Sequence, residues 1–283
     1  MGAADTALNY GPLLKYWRGK RGHSQLQLAY ASKVSQRHLS FLESGRAQPS
    51  REIIIKLAIV LDVPLRQRNA MLLSAGFAAA YQQRSISDPH LAVVRRALDF
   101  MLMQQMPYPA IVVDRLWQLQ LANPAAQHLL KWLSSGLPQA IASAGAKSQR
   151  HQSSDDQPNI LALLLDRRAL GQFVVNWADL ASEMLNTVQR EALTDGPAGA
   201  ATKFLDELLR IEGVQALQWR SGHDANFLPV LPLHLHKDDC DLRIFTTVTT
   251  LGVAQDVTAH ELRIECFFPA DDATRRWFER AAQ

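Results

Sequence analysis

Apolar positions recur at helical spacing through the first 76 residues, in five short bursts separated by polar turns. Pro12 to Arg21 predicts a first helix, opened by proline, with Leu13, Leu14 and Trp17 facing inward. Ser24 suits an N-cap, and Leu26, Leu28 and Ala29 supply the apolar face of a second helix. Val34 precedes another cap, Ser35, after which Leu39 and Leu42 recur on the inner face of a third helix that Gly45 ends. Ser50 caps a fourth, carrying Ile54, Leu57, Ala58 and Leu61 until Pro64 stops it; Arg66 to Ala75 makes a fifth, closed near Gly76. Five helices with such short connections predict a compact all-helical domain over residues 8–77.

Residues 78–87 read as a linker. Asp88-Pro89 then opens a long amphipathic helix with Leu91, Val94, Leu98 and Met101 or Leu102 on one stripe, ended by Pro107 and Pro109. Ala110 to Asn123 has hairpin character: an apolar run, a turn at Asp114-Arg115, then alternation through Leu116, Gln118 and Gln120. Asn123-Pro124 begins another helix. Residues 134–158 are poor in large apolar side chains and read as a mobile insertion. Helical periodicity returns over Asn159 to Leu170, Trp177 to Leu193 and Ala201 to Ile211. The pattern then changes to β-branched and aromatic runs at 227–237, 240–251 and 261–269, and a last helix opens at Asp271-Asp272. Five strands with helices inserted between the second and third predict an α+β domain with an antiparallel sheet over residues 88–283. The fold class expected is therefore α+β, behind an all-α head.

Charge sharpens this division. Residues 1–84 hold 12 Lys/Arg against 4 Asp/Glu, and the remainder holds 18 against 23, so the net +3 of the chain is a basic head on an acidic body. That asymmetry fits a nucleic-acid binder with a separate second module; a merely basic surface is the alternative. Cys240 and Cys266, without a CxxC, give no disulfide framework and suit a reducing cytoplasm. The N-terminus lacks the pattern of a secretory signal, and no apolar run approaches membrane-spanning length.

The second and third helices make a helix-turn-helix candidate. Gln36, Arg37, Ser40 and Ser44 fall on the face opposite Leu39 and Leu42, with Phe41 near its edge. Gln pairs bidentately with adenine and Arg with guanine, and Phe41 is placed for a thymine methyl, so this face is expected in the major groove of double-stranded DNA. Ser35, which opens the helix that carries this face, is expected at the DNA with it. Gln25, Arg46 and Arg51 are expected at phosphates. Glu43, an acid in a basic domain, is expected to pair with a neighbouring arginine.

Residues 10–76 resemble the XRE family of helix-turn-helix regulators, similar to lambdoid phage repressors, through SQLQLA, VSQRHLSFLESGRAQPS and LAIVLDVP in matching order and spacing. One departure is Lys33, where the family usually has glycine; a left-handed lysine there costs about 1 kcal/mol. LRQRNAMLLSAGFAAAY, DPHLAVVRRALDFMLMQQMPYPAIVVDRLWQLQLAN and TTVTTLGVAQDVTAHELRIECFFPADDATR resemble the C-terminal domain of MmyB-like regulators. That domain is similar to a PAS sensor, and the resemblance implies a fatty-acid-like ligand.

An acyl pocket needs apolar walls, and Trp117, Phe173, Trp177, Phe245 and Phe267 are the aromatics available, with Trp132 and Trp219 besides. The same residues serve equally well as core. Arg243 and Arg263 are the strand arginines placed to meet a carboxylate, solvation being their ordinary state. His234, His236 and Cys240 lack a fourth ligand at a recognised metal spacing and read better as an exposed polar edge, with Leu233 and Leu235 inward. No GxSxG, HExxH, Walker loop or GxGxxG occurs. The reading is a cytoplasmic, ligand-responsive, DNA-binding transcription regulator acting as a homodimer, with no cofactor and no catalytic residues. The linker and the helix over 88–105 are the expected moving part and dimer contact. The alternatives are a second domain serving dimerisation or protein interaction alone, or an enzyme domain fused to a DNA-binding head.

Overall fold

A computed structural model describes residues 9–137, 158–195, 199–217, 232–252 and 255–282. The chain divides into two compact units, one of residues 1–84 with 253–260 and one of residues 85–252 with 261–283.

The first unit begins with α1 (Tyr10–Lys20), α2 (Gln25–Ser32), α3 (Gln36–Glu43), α4 (Arg51–Val60) and α5 (Leu65–Ser74). Three serines start helices as the sequence predicts. Ser24 forms a reciprocal capping box with Gln27, and the hydroxyls of Ser35 and Ser50 accept from the backbone N–H of His38 and Ile53. Leu14, Trp17, Leu28, Leu39, Leu42, Ile54 and Leu57 close the core between these helices. Leu26 departs from expectation and is 64% exposed. The inward face of α2 instead follows Leu28, Ala29 and Ser32, whose hydroxyl returns to the carbonyl of Leu28 at 2.6 Å. Gly11 permits α1 to cross the end of α3, because a Cβ there would stand 2.7 Å from the carbonyl oxygens of both Leu42 and Glu43. In the same unit, the backbone carbonyls of Gln82 and Arg84 accept from Val257 N–H and the Thr258 hydroxyl, and Arg84 pairs with Asp256 at 3.0 Å.

The second unit opens with a single 3-10 turn at Pro89–Leu91, capped by Asp88, and α6 (Ala92–Gln104). Then come β1 (Ala110–Val113), β2 (Leu119–Ala122), α7 (Pro124–Ser134), α8 (Ile160–Leu165), a 3-10 turn at Leu170–Phe173, α9 (Trp177–Asp195), α10 (Ala200–Leu209) and α11 (Glu212–Gln215). The chain finishes with β3 (Pro232–Lys237), β4 (Cys240–Thr250), α12 (Val257–Glu261), which belongs to the first unit up to His260, β5 (Arg263–Pro269) and α13 (Asp272–Ala281). All strand pairs are antiparallel, in the order β2-β1-β5-β4-β3. The late strand β5 therefore sits between β1 and β4, which no local pattern announces. One sheet face, with Ile111, Val113, Leu242 and Ile244, packs on α7 to α11; the other, with Ala110, Val112 and Ile264, packs on Leu98 and Leu102 of α6.

Most of the expected insertion, and Trp219, lie outside the described residues. The hairpin turn is longer than predicted. The Asp114 carboxylate accepts from the N–H groups of Leu116 and Gln118, holding a loop over residues 114–118 before β2 begins. No helix among the described residues is long and apolar enough to cross a membrane.

Candidate nucleic-acid interface and ligand cavity

Lys33 supplies the turn between α2 and α3 in a left-handed conformation, φ 53° and ψ 40°, as the family resemblance implies. Glu43, at the other end of α3, locks the unit together. Arg18 of α1 grips it with two hydrogen bonds, Nε to Oε1 at 2.5 Å and Nη2 to Oε2 at 2.9 Å, and the Gln25 amide donates to Oε2 at 2.8 Å. Burial pushes the Glu43 carboxyl up, but the bonds from Arg18 and Gln25 and the Arg18 charge outweigh it and hold the pKa below the ordinary value. The expected arginine partner of Glu43 is thus Arg18. Gln25, expected at a phosphate, opens α2 and spends one amide N–H on Glu43.

Gln36 and Arg37 are exposed on the first turn of α3, with Ser40 and Phe41 half-buried one turn on. The Arg37 guanidinium stands 5.4 Å from the Phe41 ring centre, which orients it without consuming its donors. Ser35 uses its hydroxyl as the helix cap, and Ser44 turns its own back to the Ser40 carbonyl at 2.8 Å. Arg46 and Arg51 are exposed just beyond α3 and at the start of α4.

A cavity of about 470 Å³ opens in the second unit. Leu116, Ala162, Phe204, Leu208 and Ile211 are among its apolar walls, and Gln118, Asn159, Lys203 and Glu207 supply the polar ones. Asn159 ties two sides of it together, donating to the Leu116 carbonyl at 2.7 Å and capping α8 through Ala162 N–H at 2.9 Å. Asp195 accepts from Ala201 N–H at the start of α10 and pairs with Arg115 at 2.9 Å; Arg115 lies 3.6 Å from Glu261.

None of the five expected aromatics lines this cavity. Trp117 and Trp177 are core residues, each 6% exposed, and the Trp177 indole donates to the Leu164 carbonyl. Phe173 lies under the Lys237 ammonium, 5.0 Å from the ring centre, and Phe267 packs at the margin of the core. Phe245 points to the opposite sheet face and stacks on Phe268 at 5.2 Å, because β4 alternates and Leu242 and Ile244 take the inner side. The cavity's own residues carried a faint signal: Phe204 and Leu208 sit one turn apart, as do Lys203 and Glu207.

Glu265 on β5 is the buried acid of the inner face, 7% exposed beside Ile111 and Phe267. Burial lifts its pKa to about 7, with the Arg263 charge pulling weakly the other way. Arg263 is not solvated as a strand arginine would be by default; it forms an ion pair with Glu191 of α9. His234 Nε2 and His236 Nδ1 lie 3.2 and 3.1 Å from Asp241 Oδ1, while Leu233 and Leu235 turn inward as expected. Among the described residues no group of three His, Cys, Asp or Glu is arranged to hold a metal ion.

Family models match the chain in two places. Residues 14–67 match a helix-turn-helix model, and residues 94–281, about two-thirds of the chain, match the MmyB-like transcription regulator ligand binding domain. No curated protein matches the chain.

Proposed function

Because the chain belongs to the family with the MmyB-like transcription regulator ligand binding domain, joined here to a helix-turn-helix head, we propose that α3 reads an operator under control of a small, apolar, fatty-acid-like ligand. Residues 8–77 are the DNA-binding domain, 78–87 the linker, and 88–283 a PAS-like ligand-binding and dimerisation domain. The observation that carries the DNA reading is the locked frame of Arg18, Gln25 and Glu43 beneath the exposed pair Gln36 and Arg37. Gln36, Arg37 and Ser40, with Phe41, set sequence preference, and Arg46 and Arg51 set register through phosphates. A cytoplasmic homodimer would engage half-sites about one helical turn apart.

The cavity supports the ligand reading by its size, within the range of roughly 300–1,000 Å³ usual for small-molecule sites, and by its mainly apolar wall with a few polar groups. Native mass spectrometry with lipid extraction of the purified chain, and thermal shift with medium-chain fatty acids, test it directly. A co-purifying amphiphile or a saturable rise in Tm supports the sensor. Neither a bound amphiphile nor a shift would leave a domain for dimerisation alone. Selection of bound duplexes from a random DNA pool tests the head, and recovery of no common sequence would sink that half of the reading.

A further inference from the structure

We propose that the outward face of α6 is the surface through which two copies of this chain pair, antiparallel to each other, an inference that rests on the homodimer reading above. α6 is apolar on two sides. Its inner side is accounted for, with Leu98 and Leu102 buried against Ala110, Val112, Leu262 and Ile264. On its outer side Val93, Phe100 and Met103 are 69%, 72% and 56% exposed. Val93, Ala97 and Phe100 follow one another at four and three residues, so they form a continuous stripe, with Met103 and Arg96 on its flank. A helix with apolar residues on both sides is ordinarily covered on both.

The charges on this face select the occupant. Among the described residues neither Arg96 nor Asp99 has an ion-pair partner in its own chain. Parallel pairing of two such helices would set Arg96 opposite Arg96 and Asp99 opposite Asp99. Antiparallel pairing about a twofold axis on the outer side, at the level of Leu98 along the helix, instead brings Arg96 of each copy to Phe100 of the other, with Asp99 on the same flank, and Val93 to Met103. Ala97, small and near the middle, lets the backbones approach. A face so patterned is complementary to itself, which a surface for an unrelated partner has no reason to be. With 13 residues α6 is about 20 Å long, short of a standard interface on its own, so the pairing is reversible and concentration-dependent.

Sedimentation velocity on the full chain over a concentration series tests this. The wild type is expected to dimerise, and Phe100→Asp to weaken the dimer by at least about tenfold, as loss of an apolar anchor does. Arg96→Asp and Asp99→Arg should each weaken it alone, and their equimolar mixture should restore a mixed dimer, since only the mixture matches opposite charges at both contacts. A wild type that stays monomeric, on operator DNA as well, overturns the homodimer reading itself. If in addition Phe100→Asp lowers Tm, the chain's own residues cover α6. A wild-type dimer indifferent to Phe100→Asp leaves that reading standing and overturns the assignment to α6. A weakened pair of charge variants that fails to recombine overturns the antiparallel register.

Discussion

Glu265 has the clearest electrostatic consequence of any single side chain. Its carboxyl titrates at about 7 in the folded chain against an ordinary value of 4.5, because burial disfavours the anion. Between those values the folded state binds more protons than the unfolded one, so the Glu265 contribution to stability is full below about 4.5 and falls as pH rises toward 7, by on the order of 3 kcal/mol. Glu265→Gln should flatten that decline; denaturant melts at pH 5 and pH 7.5 that shift equally in both proteins would refute it. On the head, Arg37→Ala is expected to relax base preference at about 1–3 kcal/mol of discrimination, measured as the ratio of affinities for operator and random duplex. Arg46→Ala should weaken both duplexes alike and flatten the salt dependence by about one ion. Exposure and chemistry of Arg37 were legible from its place opposite Leu39 and Leu42. The commitment of Gln25 to Glu43 was not, since it spans 18 positions and depends on how α2 meets α3.

At the scale of elements, the caps and the alternation carried most of the information. Ser24, Ser35, Ser50, Asn123 and Asp271 each start the helix that follows, because a side-chain acceptor beside an orphan N–H is a local event. Helix ends closed from a distance were invisible. The Lys237 ammonium, on a residue only 7% exposed, donates to the carbonyls of Trp132, Leu133 and Ser135 and to the Ser135 hydroxyl, finishing α7 from a strand about 100 positions away. Lys237→Met keeps the stem but leaves those carbonyls without their donor, and is expected to cost about 3 kcal/mol in a denaturant melt. A cost below about 1 kcal/mol would mean water takes over the cap. Where the aromatics sit relative to the cavity was hidden for the same physical reason. Alternation says that Phe245 and Phe267 lie on strands, but which face receives the helices is settled only when β4 pairs with β5.

For the whole molecule, the regulation proposed above is a coupling between two affinities. Whatever factor the ligand imposes on operator affinity, the operator must impose on ligand affinity, commonly about 5–150-fold. Titration of ligand into the chain with and without saturating operator should return the same factor as titration of DNA with and without ligand. Unequal factors would mean a second ligand site or a change of assembly state. By itself the sequence determined the two capped helices of the head, the five strands and their α+β class, because each of these is written in neighbours three to ten residues apart; its charge balance gave the basic head, and the family resemblance implied the left-handed Lys33. Only the tertiary structure decided that β5 enters the sheet between β1 and β4, that Glu43 is the lock under α3, and that the cavity is walled by α8 and α10 rather than by the large aromatics. Those outcomes depend on which face of each element is covered, and coverage is a property of pairs of elements brought together from afar.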